Sequence, residues 1–173
     1  AVFHPGTLEI AHAVPDPDPR AGIHRRFEAT AELIARALGR LGVDARVGEV
    51  PGEYCPGRWS VNAGGERKLA GIGQRVISGG AHVGTVIVVD DAASVRRVLE
   101  PVYAALGLAW DPATVGAVAE EASGRAWEAV REAVLAEYAE RFRLVEDEVD
   151  AETLSLARTL AAEHRQGSEP PAR

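Results

Sequence analysis

The sequence contains no methionine, one cysteine and one lysine in 173 residues, and only 5% of its residues are aromatic. A single cysteine, Cys55, cannot close an internal disulfide, so no oxidised framework is implied, and a zinc site built on several thiolates is excluded. No apolar run approaches the ~18 residues that a membrane span requires. No charged and then apolar leader precedes a small-residue cleavage site. The expected location is therefore cytoplasmic, with no membrane partner. The missing methionine, and an opening Ala1-Val2-Phe3 that begins inside an apolar pattern, raise the expectation of a fragment.

Positive charge is also scarce. The net charge is −7, and counterion release on a polyanion needs clustered Lys and Arg, so nucleic acid is excluded as a partner. Of the 19 basic residues, every one but Lys68 is arginine. Lysine is a compact point charge whose proton affinity moves on burial, whereas arginine is a wide, permanently charged fork. Lys68 is thus either a chance survivor or an ammonium kept for a purpose.

What is present is a balance of 46% hydrophobic and 26% charged residues, enough to bury a core. Residues 1–15 alternate as two short strands around a Pro5-Gly6 turn, and Pro15 to Pro19 form a stiff loop. From 22 to 42, Ile23, Phe27, Ile34, Leu38 and Leu41 recur at helical spacing with Arg and Glu outward, and Gly42 supplies the stop. Residues 44–50 alternate as a strand, and 51–59 form a Gly- and Pro-rich loop that contains Cys55. Residues 60–63 and 66–77 read as strands joined by Gly64-Gly65, and 81–89 as a further buried strand, which gives an antiparallel meander. After Asp90-Asp91, the stripe Val95, Val98, Leu99, Val102 and Leu106 predicts a helix ending at Gly107. Two more helices are expected, over about 125–143 and 150–165. The expected class is α+β, a mostly antiparallel sheet flanked by helices. The expected divisions are a catalytic region over 1–108, a helical extension over 109–166 and a disordered tail over 167–173.

Two residues invite chemistry. Cys55 stands in Gly-Glu-Tyr-Cys-Pro-Gly, a tight turn that fixes the direction of a thiol, and loops on rigid scaffolds display reactive groups. The alternative is an inert, buried cysteine. Lys68 lies thirteen residues on. Period-two alternation puts it on one strand face with Glu66, Ala70, Ile72 and Gln74, and puts Leu69, Gly71 and Gly73 on the other. Small residues leave room beside the lysine for a ligand, although a solvated surface lysine has the same sequence appearance. The chemistry that uses such a pair is acyl transfer. A thiolate attacks an acyl carbonyl, and an ammonium favours the thiolate and stabilises the developing oxyanion. The five histidines lack the spacing of a zinc motif, and no nucleophile elbow or phosphate loop is present. His4 and His82 border turns, where each is either a general base or a simple strand cap.

The strings Gly52-Glu-Tyr-Cys-Pro-Gly57, Arg67-Lys-Leu-Ala-Gly-Ile-Gly-Gln-Arg75 and Gly80-Ala-His-Val-Gly84 resemble the biotin/lipoate protein ligase superfamily, in its lipoate-protein ligase and octanoyltransferase branch. The opening Ala1-Val-Phe-His-Pro-Gly6 is similar to the segment just beyond that family's Arg- and Gly-rich substrate loop. The resemblance implies the family's catalytic fold, incomplete at its N-terminus, with a C-terminal helical extension. It implies transfer of an octanoyl or lipoyl group to a lysine of lipoyl-domain proteins such as the glycine cleavage H protein or a 2-oxoacid dehydrogenase E2. It casts Cys55 and Lys68 as catalytic, Cys55 as the bearer of an acyl thioester, and His4, Gly71, Gln74, Gly80 and His82 as substrate-binding. The cysteine points to the transferase subgroup, which needs no cofactor for transfer. The ligase alternative would use ATP and Mg, and a third reading is a non-catalytic fragment or subunit that binds a lipoyl domain. The family's first strands are absent, so a separate N-terminal half is an expected partner.

Overall fold

A computed structural model describes residues 2–122 and 127–164; the tail expected over 167–173 lies outside the described residues. Two compact units divide the chain, residues 1–142 and 143–173. The first is a five-stranded sheet with helices. Its elements run β1 (Thr7–Pro15), α1 (Ile23–Arg40), β2 (Ala45–Val47), β3 (Val61–Ala63), β4 (Arg67–Ile77), β5 (Gly80–Val88), α2 (Ala92–Leu106), a 3₁₀ turn (Pro112–Thr114), α3 (Val118–Glu121) and α4 (Trp127–Ala139). The second unit carries α5 (Ala151–His164). The α+β class and the antiparallel meander expected from the sequence are both present.

The strand order is β1-β5-β4-β3-β2, and every pairing is antiparallel. The Gly64-Gly65 turn adopts positive φ at both residues (61° and 87°) and closes with Glu66 N–H donating to Ala63 O at 3.0 Å, as a tight hairpin requires. Consecutive residues of β5 enter different cores, Ile87 one and Val88 the other, so the sheet is covered on both faces. α1 crosses from one sheet edge to the other and lays Ile34, Leu38, Ala31 and Ala37 on the first face, where Val130 and Val134 of α4 join Leu8, Leu69, Ala70 and Ile87. α1 stops as expected, with Gly42 at φ +91° and its N–H donating to Gly39 O. On the second face α2 packs Val95, Leu99 and Tyr103 against Val88, Val115 and Ala117. The first unit therefore takes in residues 109–142, which the sequence alone assigns to a helical extension.

Several expectations shift. The first strand of the opening pair is absent: Val2-Phe3 leads into a turn in which Thr7 N–H donates to His4 O at 2.9 Å and Gly6 N–H donates to His4 Nδ1 at 3.1 Å, and only Thr7 onward is strand. The strand expected over 44–50 ends at Val47, because Gly48 turns away to donate to Ser60 O. In α1, Arg26 points inward. It is 8% exposed and fully engaged, by Asp16 at 2.6 Å, by Gln74 Oε1 at 2.9 Å and by Pro19 O. In α2 the buried stripe is Ala92, Val95, Leu99 and Tyr103, whereas Val98, Val102 and Leu106 are exposed. The expected stripe merged two helical rows, and only one faces the sheet.

Candidate acyl-transfer site

The site begins with a β-bulge. Across β3 and β4, Val61 pairs with Ala70 but Asn62 pairs with Lys68, so Leu69 is an extra residue on β4. Leu69 and Ala70 both enter the first core, and Ile72 packs against it. The alternation is thereby reset, and the expected face sharing of Lys68 with Ala70, Ile72 and Gln74 is corrected. Lys68 shares its side with Gly71, where a Cβ would stand 3.6 Å from Lys68 Cε. Gln74 turns to α1, donating to Ile23 O and accepting from Arg26. The lysine's strand is also pressed by the segment after the 3₁₀ turn: Gly116 N–H donates to Lys68 O, and a Cβ on Gly116 would lie 2.8 Å from that of Arg67, so only glycine fits there.

Lys68 is 3% exposed and its ammonium serves the cysteine loop. Nζ donates to Tyr54 O at 3.0 Å and to Cys55 O at 2.9 Å, and it sits 4.7 Å over the Tyr54 ring. Glu53 Oε2 is 3.6 Å away, within a buried ion pair. The other carboxylate oxygen, Oε1, accepts from Gly57 N at 2.9 Å and Ser60 Oγ at 2.7 Å, which ties together the two sides of the loop that holds Cys55. Burial pushes the Lys68 ammonium below its usual range, while Glu53 and then Cys55 oppose that shift. Burial likewise raises the Tyr54 phenol, reinforced by Glu53.

Cys55 is exposed and has φ +42°, one of two non-glycine residues with positive φ among the described residues. Left-handed backbone at a non-glycine residue carries strain of roughly 1–3 kcal/mol and persists only where surrounding bonds impose it. Here Lys68 grips the carbonyl and the Tyr103 hydroxyl accepts the Cys55 N–H at 2.6 Å. The thiol borders a cavity of about 590 Å³ whose walls include Val2, Phe3, Phe27, Val86, Val88 and Val95 together with Lys68, Gly71 and Gly73.

The structure thus brings Cys55, Lys68 and Gly71 together. It does not bring the other expected substrate-binding residues to that cavity. Gln74 is committed to α1. Gly80 is paired between Ile77 and Pro15, and His82 is an exposed strand residue paired with Arg75 and Ala13. His4 holds the turn before β1. Sequence reasoning missed Glu53 and Tyr103. Glu53 lay inside the quoted Gly-Glu-Tyr-Cys string, and its signal was an acidic residue two positions from the cysteine in an otherwise uncharged turn. Tyr103 gave no signal beyond its i+4 spacing from Leu99. Among the described residues, no group of three or more His, Cys, Asp and Glu could hold a metal ion, and no helix is long and apolar enough to cross a membrane.

The fold is that of lipoate protein ligases. The chain superposes on the bi-partite lipoate protein ligase of Thermoplasma acidophilum with a TM-score of 0.67 at 19% identity, covering 92% of this chain and 61% of that one. On lipoate-protein ligase A bound with ATP the TM-score is 0.68 at 21% identity, over 91% and 60%. The profile of the lipoyl protein ligase A/B catalytic domain matches residues 1–139, and the chain belongs to that family. Relatives include the octanoyl-GcvH:protein N-octanoyltransferases of Geobacillus kaustophilus, 34% identical over 57% of this chain and 34% of its own length, and of Anoxybacillus flavithermus, 39% identical over 55% and 34%. The chain spans about a third of the length of these curated relatives.

Proposed function

We propose that this chain carries the nucleophile of an acyl transfer, with Cys55 and Lys68 as its catalytic residues and Gly71 as part of the pocket wall. The observation that supports this best is the clamped, left-handed, solvent-facing Cys55 beside a buried ammonium at the edge of an apolar cavity. Such a cavity suits a medium-length acyl chain, and the relatives are named for octanoyl transfer. The Cys55 thiolate attacks the carbonyl of an octanoyl or lipoyl amide on a carrier lysine. The S–C bond forms, the C–N bond breaks, and the departing amine takes up the proton that the thiol released on ionising. A lysine of a second lipoyl-domain protein then attacks the thioester and returns the thiol. The ammonium has three N–H donors, and two are engaged by loop carbonyls. Glu53 Oε2 stands 3.6 Å from the same ammonium, and on this reading the positive charge held beside the thiol stabilises the oxyanion, a contribution of roughly 3–4 kcal/mol for a donor at comparable sites.

On this reading the transfer needs no cofactor, takes place in the cytoplasm and uses the glycine cleavage H protein as donor and a 2-oxoacid dehydrogenase E2 as acceptor. The test is to mix the intact protein with octanoylated H protein and measure intact mass, without and with ATP and Mg. An octanoyl adduct on Cys55 without ATP is expected. An adduct that needs ATP and survives Cys55→Ser would overturn the transfer reading in favour of a ligase.

A further inference from the structure

Tyr103 reaches the cysteine from a different element. It lies in the last turn of α2, 8% exposed, and its carbonyl accepts the N–H of Leu108 at the Gly107 cap, so its backbone is fixed. The ring packs 5.1 Å from that of Trp110, which also meets Tyr54 edge-on at 6.2 Å. That aromatic cluster sets the depth and direction of the phenol. Its hydroxyl then makes two contacts with one residue: it accepts from Cys55 N at 2.6 Å and lies 3.8 Å from Cys55 Sγ with its own proton directed there.

The two contacts use different parts of the hydroxyl. The Cys55 N–H occupies a lone pair, so the O–H proton is free for the sulfur. Burial raises this phenol above its usual range, so it keeps its proton where a thiol ionises. A phenylalanine would fill the same space without either contact, and the Cys55 N–H would lose its partner.

We propose that Tyr103 is a third catalytic residue of the transfer site, holding the left-handed Cys55 backbone through its N–H and donating a hydrogen bond to Sγ that stabilises the thiolate. The proposal rests on the Cys55 reading above, but it makes a claim about the sulfur that needs no acyl donor.

The experiment measures alkylation of Cys55 in the intact protein by iodoacetamide across pH, followed on the Cys55 peptide by mass spectrometry. For Tyr103→Phe, the rate at neutral pH should fall about five-fold, the scale of one neutral hydrogen bond, with the profile moved to higher pH and the same alkaline plateau. Leu99→Ala loosens the same core cluster without removing the hydroxyl, and its profile should overlay the native one. A Tyr103→Phe profile that overlays the native curve overturns the proposal, as does an equal shift in Leu99→Ala, which would make the effect one of packing. The two readings fail separately. A native protein that forms no octanoyl thioester while Tyr103→Phe still shifts the alkylation profile sinks the acyl-transfer reading alone. A native thioester with an unshifted Tyr103→Phe sinks the role of Tyr103 alone.

Discussion

On one face of the sheet, Ile34, Leu38, Leu69, Ile87 and Val130 are each fully buried in a hydrocarbon core. On the other, Lys68 and Glu53 are buried as an ion pair with Ser60 beside them, and the cysteine loop closes over them. The first arrangement stabilises by removing apolar surface from water. The second does the opposite, since desolvating two charges costs several kcal/mol per ion and their attraction rarely returns more than that. A face that served stability alone would carry apolar side chains at both positions. One face thus carries a hydrocarbon core, while on the other the apolar core under α2 adjoins a buried charge pair beneath the cysteine loop, a charge that the proposed transfer puts to use.

Four measurements would break or sharpen that division. The largest effect is expected from Lys68→Met, which should reduce octanoyl transfer by about 10²–10³-fold, the scale of a lost oxyanion donor. A transfer rate near native would dissolve the distinction between the faces. Next, Leu38→Ala should lower unfolding free energy by about 2–5 kcal/mol in chemical denaturation, as a cavity in a packed core does, while thioester formation per folded molecule stays near native. Third, Glu53→Gln should lower stability by about 1–3 kcal/mol, because the lysine then lacks its counter-charge. Combined with Lys68→Met its cost should be well below the sum, which a double-mutant cycle by denaturation would read.

The smallest effect concerns the outer rim of the first face, where α4 meets α1. There the Glu137 carboxylate accepts from Arg36 at 2.8 Å and Arg40 at 2.6 Å, and these guanidinium groups, Arg36 first, hold its carboxyl below the usual carboxylate range. A depressed folded value means that the contribution is present above the unfolded carboxyl's pKa of about 4.3 and is lost as pH falls through the folded value. Melting curves of the native protein and Glu137→Gln should therefore differ at neutral pH and converge in acid. A difference that grows in acid would reverse the assigned sign.

The elements with strong local signals were legible. The Gly64-Gly65 hairpin, the Gly42 and Gly107 helix stops and the β3-β4-β5 meander all come from turn chemistry and periodicity, and the fold brings the lone cysteine and the lone lysine into contact. What stayed hidden depends on tertiary pairing. A single extra residue at Leu69 exchanges the faces of everything after it, and no period-two pattern shows a bulge in advance. Arg26 and Gln74 look like surface residues until α1 is laid on β4, where each satisfies the other. Tyr103 and Glu53 reach the cysteine loop through contacts 48 and 4 residues apart in the chain. The short range of the second hid nothing geometrically, but only folding buries the carboxylate.

The proposed transfer turns on acceptance of the acyl group by Cys55. Its most direct test is the intact mass of the native protein and of Cys55→Ser after incubation with octanoylated H protein in the absence of ATP. One octanoyl increment is expected on the native protein, removed by hydroxylamine at neutral pH as a thioester would be, and none on Cys55→Ser. An unmodified native protein, or an increment that Cys55→Ser retains, would contradict it.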